Sequence, residues 1–123
     1  MDTHTLLWFI ENDSKLSSSA KSIIVTYPSP IYVSVVSLWE ITIKVNIGKL
    51  KISDSIDTLL QFLNDQEIEV LPISSRHLSA YINLPLHHRD PFDRMIIVQA
   101  LEGRLTVLGT DEAFDLYAVN REW

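Results

Sequence analysis

Four carboxylates stand at positions where chemistry is a natural use for them: Asp2, Glu40, Asp93 and Asp111. The densest surroundings are His87-His88-Arg89-Asp90-Pro91-Phe92-Asp93-Arg94. Asp90-Pro91 reads as a helix start, because Asp is a favoured N-cap and Pro fits the first turn. Met95 to Leu101 is apolar almost all round, so that helix is expected to be buried and to stop at Gly103. Asp93 then lies in the first turn of a buried helix, where a carboxylate needs hydrogen bonds or a cation. The plain alternative is a capping box, with Asp93 as the acid reaching back to the cap. Glu40 poses a similar problem. Val36, Glu40, Ile43 and Ile47 share one helix face, so the acid interrupts an apolar stripe, unless it pairs with a Lys or Arg of another helix. Asp2 opens the first helix, where its charge complements the helix dipole.

The elements around these acids suggest where they meet. Helices are predicted from Thr5 to Ile10, from about Ser17 through Ile24, from the Ser34 N-cap through Val45, from Ser55 to Leu63, and from Ser74 or Ser75 through Ile82. Short, continuously apolar strands are predicted at Ile31-Tyr32-Val33, Ile68 to Leu71, Leu105 to Leu108 and, last, Ala118-Val119. Asp111 caps a short helix ending near Phe114. Such alternation is the pattern of a parallel sheet covered on both faces, an α/β architecture whose ligands bind beyond the carboxyl ends of the strands. Glu40 lies just after one strand and Asp111 just after another. Four acids gathered there repel one another and call for protons or a divalent cation. An all-oxygen donor set points to Mg²⁺ or Mn²⁺, and such a site suits phosphoryl or phosphodiester chemistry. Arg89, Arg94, Lys44 and Lys49 are the cations expected to hold flanking phosphates.

Composition narrows the choice. The 123 residues make one domain, residues 1–123, and 46% hydrophobic content suffices for a core. A net charge of -6 disfavours indiscriminate coating of nucleic acid, while leaving room for a local basic patch. The chain has no cysteine, which removes disulfides, thiolate metal sites and Cys nucleophiles, and suits the cytoplasm. Thr5 to Ile10 is too short to span a membrane. No P-loop, Ser-His-Asp spacing or Gly-rich fingerprint supports other chemistry.

The chain resembles PIN-domain proteins of the VapC toxin group. The resemblance is carried by Asp2-Thr3-His4 with Leu6-Leu7-Trp8, Val33-Ser34 through Ser37-Leu38-Trp39-Glu40-Ile41, and Gly48-Lys49-Leu50. It continues in His88-Arg89-Asp90-Pro91-Phe92-Asp93-Arg94 and Thr110-Asp111 with Phe114, all in the family's order. It implies a three-layer α/β/α domain with a short central parallel sheet. It implies a Mg²⁺- or Mn²⁺-dependent endoribonuclease whose metal and catalytic set is Asp2, Glu40, Asp93 and Asp111. An RNA substrate, a VapB-type antitoxin and a homodimer are the partners it suggests. Asp90 reads first as a cap, and His4, His87 and His88 as caps or phosphate contacts rather than metal ligands. Trp8, Trp39 and the Ser55–Leu63 helix are candidates for a partner surface, with core packing the preferred role for both tryptophans. Two rivals remain: an inactive PIN scaffold that binds RNA or protein, and a Mg-dependent phosphatase with Asp2 as nucleophile, which lacks a second acid two residues on. One departure stands out. The family carries an apolar central strand before its first Asp, whereas here only Met1 precedes Asp2. The first strand is therefore expected to be truncated and the natural chain to begin upstream. A chain that truly starts at Met1 is expected to be poorly stable and a weak nuclease, with Asp2 on a frayed terminus.

Overall fold

Small polar side chains start nearly every helix. The computed structural model describes Met1–Trp123. Asp2 caps α1 (Thr3–Ile10), Ser17 caps α2 (Ser18–Thr26) and Ser34 caps α3 (Val35–Asn46). Ser55 caps α4 (Ile56–Asp65), Ser74 caps α5 (Ser75–Ile82) and Asp90 caps α6 (Pro91–Gly103). Each accepts from a backbone N–H of the first turn, which has no partner within the helix. The strands are β1 (Ile31–Ser34), β2 (Ile68–Leu71), β3 (Val107–Leu108) and β4 (Arg121–Glu122), with a 3₁₀ helix (Glu112–Leu116) before the last.

The strands separate two apolar cores. Successive side chains of a strand point to opposite faces. Accordingly, Leu108 joins Leu6, Ala20, Val33, Ile41, Leu63 and Ile68, whereas its neighbour Val107 joins Val36, Ile97, Val98, Phe114 and Tyr117. Helices α1, α2 and α4 supply the first core; α6 supplies most of the second, with α5 packed on it. Helix α3 contributes to both. This is the α/β layering expected, with every strand pairing parallel.

The expected single sheet is two parallel pairs. Strand β1 pairs with β2 from Ile31↔Ile68 to Ser34↔Leu71, and β3 pairs with β4 through Val107↔Arg121 and Leu108↔Glu122. Met1 and Asp2 lie between the pairs. The Met1 ammonium donates to Tyr32 O at 2.7 Å, and the Asp2 N–H donates to Leu108 O at 3.0 Å. A cleft of about 410 Å³ opens beside them, lined among others by Ile31, Tyr32, Ile96, Gln99 and Val107. Gln99 is buried there and its Oε1 meets no hydrogen-bond donor.

Several expectations need correction. Asp2 is not frayed: it is 2% exposed and held on both sides. Helix α6 closes through Arg104, at φ +53°, rather than at Gly103, which remains helical. The last strand is Arg121–Glu122, not Ala118-Val119: Ala118 still lies in the turn that follows the 3₁₀ helix, and the chain meets β3 only at Arg121. Trp39 is 59% exposed and is not a core residue.

Candidate active site

Asp2 is aimed by its role as a cap. Its Oδ1 accepts from Thr5 N at 2.8 Å, and Thr5 Oγ1 donates to Leu108 O at 3.2 Å, tying the start of α1 to the end of β3. The carboxylate lies against Gly109, where an added Cβ would come within 2.5 Å of Asp2 Oδ2. Any side chain there would push the Asp2 carboxylate aside. Glu40 projects from the second turn of α3, buried at 6% exposure. Its Oε2 lies 3.1 Å from Thr3 Oγ1, which also lies 3.0 Å from Ser37 Oγ. Its Oε1 accepts from Lys44 Nζ at 2.6 Å, so the partner comes from the same helix one turn on, not from another helix.

Asp93 is different. The capping box foreseen for it is not formed. Asp90 Oδ1 accepts from the N–H groups of Phe92 and Asp93, at 2.9 and 3.0 Å, while no hydrogen bond from the protein reaches the Asp93 carboxylate. Burial, reinforced by the charges of Asp90, Glu40, Asp2 and Asp111, raises its pKa to about 7. The charges of Asp2, Glu40 and Asp111 thus all act on Asp93, but only Asp111 and His88 bring ligand atoms into a group with it within 4.8 Å. Asp111 stands at the open side of that group, exposed, with Oδ1 accepting from Ala113 N at 2.8 Å.

The basic residues separate into two groups. Arg94 is buried, and its guanidinium donates to Leu84 O, Pro85 O, His88 O and Tyr117 Oη, and stacks 5.0 Å over the Tyr81 ring. This corrects the expectation that Arg94 contacts phosphate: its donors are spent on the segment before α6. Lys44 is engaged with Glu40 at the site's edge, whereas Arg89 and Lys49 are exposed. Sequence reading assigned no site role to Thr3, Ser37 or Gly109, and took His88 as a cap or phosphate contact rather than a metal ligand. His88 Nε2 lies 3.8 Å from Asp93 Oδ2, and its ligand atom forms a group with those of Asp93 and Asp111, all within 4.8 Å of one another. A glycine at the end of a strand, two residues before a site acid, was a readable signal; the approach of His88 was not.

A divalent cation fits this arrangement. A carboxylate that accepts no hydrogen bond inside a group of like charges gains from a hard cation, and the donors nearby are carboxylate oxygens with one imidazole nitrogen. Among known proteins, the family model described as PIN domain matches residues 1–120. No curated protein matches the chain. Among solved structures the chain is similar to one in the crystal structure of VapBC2 from Rickettsia felis bound to a DNA fragment from their promoter. The identity is 17%, the TM-score 0.72, and the match covers 98% of this chain and 93% of that one.

Proposed function

This chain belongs to the PIN domain family, and on that premise we propose that it is a Mg²⁺- or Mn²⁺-dependent endoribonuclease, the toxin of a VapBC-type pair. The observation that carries the reading is Asp93: a half-buried carboxylate that accepts no protein hydrogen bond and is raised to about 7 by burial and by the charges of Asp90, Glu40, Asp2 and Asp111. Asp2, Glu40, Asp93 and Asp111 hold the cation. When bound, it supplies a polarised water and offsets charge on the phosphate oxygens. The chain's own residues do the rest. Thr5 N and Gly109 fix the direction of Asp2, and Thr3 and Lys44 fix Glu40. Lys44 also trims the negative charge that would repel RNA. Arg89 and Lys49, exposed and free of ion pairs, contact phosphates flanking the scissile bond.

An aspartyl-phosphatase reading fares worse, because Asp2 is 2% exposed and has one oxygen engaged by Thr5. A nucleophile must reach phosphorus in line. An inert-scaffold reading is also disfavoured, because Asp2 is buried and its N–H is held by Leu108 O rather than left loose. A VapB-type antitoxin is the proposed partner, by analogy with the VapBC2 complex, and a homodimer is proposed because Leu78, Ile82 and Leu86 are exposed apolar residues. Its proposed place is the cytoplasm, with its RNA. No helix is long and apolar enough to cross a membrane. The test is incubation of the purified protein with single-stranded and structured RNA, with Mg²⁺ or Mn²⁺ and then with EDTA. Cleavage that needs the metal and leaves a simple aryl phosphate ester untouched supports the reading; metal-independent cleavage, or none, overturns it.

A further inference from the structure

We propose that His88 is a nitrogen ligand of the same metal centre and that it biases the centre toward Mn²⁺ over Mg²⁺. This rests on the ribonuclease reading only in needing the metal site, not the RNA chemistry. The first support is proximity: Nε2 lies 3.8 Å from Asp93 Oδ2, and Asp111 completes a group whose ligand atoms lie within 4.8 Å of one another. A gap of 3.8 Å is too long for a hydrogen bond, and such spacings suit donors sharing one ion. The second support is that the ring is placed from behind. Arg94, buried one residue beyond Asp93 on α6, donates to His88 O at 3.1 Å and to Pro85 O at 2.8 Å. Helix α6 thus carries Asp93 and also fixes the backbone that presents His88 to it.

Only one ring nitrogen is available. Nδ1 is enclosed and has no partner, so Nε2 is the atom that can reach an ion. Ligation through Nε2 puts the ring proton on Nδ1, where no acceptor receives it. A ligating histidine usually has such an acceptor, and its loss typically lowers affinity 10–100-fold, on the order of magnitude seen in supported sites. His88 is therefore a modest ligand, and its effect is one of selectivity. Mg²⁺ prefers oxygen and keeps its waters, while Mn²⁺ accepts imidazole more readily.

The test uses the whole chain and metals alone. Mn²⁺ binding is followed by loss of the free-ion electron paramagnetic resonance signal, and Mg²⁺ binding by competition. His88→Ala is expected to weaken Mn²⁺ about tenfold and Mg²⁺ less than about threefold. His88→Asp, which puts an oxygen donor in place of the nitrogen, is expected to narrow the preference for Mn²⁺ over Mg²⁺. Electron spin echo modulation of bound Mn²⁺ is expected to show ¹⁴N coupling in the wild type and in His87→Ala, and none in His88→Ala. Absent ¹⁴N coupling in the wild type, or equal losses for both metals in His88→Ala, overturns the inference while leaving the metal site standing. A wild type that binds neither ion overturns the ribonuclease reading instead.

Discussion

Asp93 sets the pH behaviour of the site. Its folded pKa of about 7 lies above its ordinary value of 3.8, so the folded chain binds this proton more tightly than the unfolded one. The stabilisation from that proton is complete below about pH 4 and is lost as pH rises through about 7. A metal must displace the same proton. The rise in melting temperature caused by Mg²⁺ or Mn²⁺ is therefore expected to be small at about pH 5.5 and larger at about pH 8, and to vanish in Asp93→Asn. Calorimetric melts across pH check this, and a rise independent of pH contradicts it. Gly109 makes a second demand at this scale. In Gly109→Ala the new Cβ would meet Asp2 Oδ2 at 2.5 Å, so the carboxylate must turn away. Metal-dependent cleavage is expected to fall about 100-fold, the cost of a displacement near 1 Å. Unchanged activity would mean that Asp2 is not held against Gly109. Two of the proposed site acids stood out in the sequence by breaking a local rule, Glu40 on an apolar stripe and Asp93 at the start of a buried helix. Asp2 and Asp111, by contrast, are ordinary helix caps singled out by their place at a helix start and after a strand. His88 gave no such sign. Its approach depends on how the segment before α6 folds back under Arg94, a tertiary event with no periodicity.

At the level of elements, capping chemistry made most of the fold readable. Ser34, Ser55, Ser74 and Asp90 start their helices as their side chains foretell. The ends were less readable, since a left-handed Arg104 serves where glycine was expected and two-residue strands leave almost no pattern. Arg94 shows how a charge can mislead: from sequence it belongs with Arg89, yet it lies inside and binds three carbonyls. Arg94→Ala is expected to cost roughly 3 kcal/mol or more, because several buried carbonyls lose their donor. Arg89→Ala is expected to change stability by less than about 0.5 kcal/mol while weakening RNA binding. Denaturant titration separates the two, and similar stability losses would contradict it. The cleft between β1 and β3 carries another prediction. Tyr32 and Leu108 already accept from Met1 and Asp2, and residues whose carbonyls face the cleft direct their N–H groups there too. A tetrapeptide of β-branched residues joined ahead of Met1 is expected to extend that ladder. Each bond adds about 1 kcal/mol, so the melting temperature is expected to rise by roughly 5 °C or more. No rise would mean that the cleft does not accept a strand.

As a whole molecule, the chain joins two small cores through short parallel strands and gathers four acids where those strands and three helix starts meet. On the proposed function, a net charge of -6 would make the acidic centre unattractive to RNA until a cation filled it, and Arg89 and Lys49 would draw in phosphates. The same imbalance suits an antitoxin that presents a basic side chain to the acids. The measurement that bears most directly on the central claim is RNA cleavage by wild type and Asp93→Asn side by side, in Mn²⁺ and in EDTA, with folding checked by circular dichroism. The account predicts cleavage by the wild type with metal only, and a folded Asp93→Asn that cuts at no more than about a hundredth of that rate. A folded Asp93→Asn that cuts RNA as fast as the wild type would contradict it.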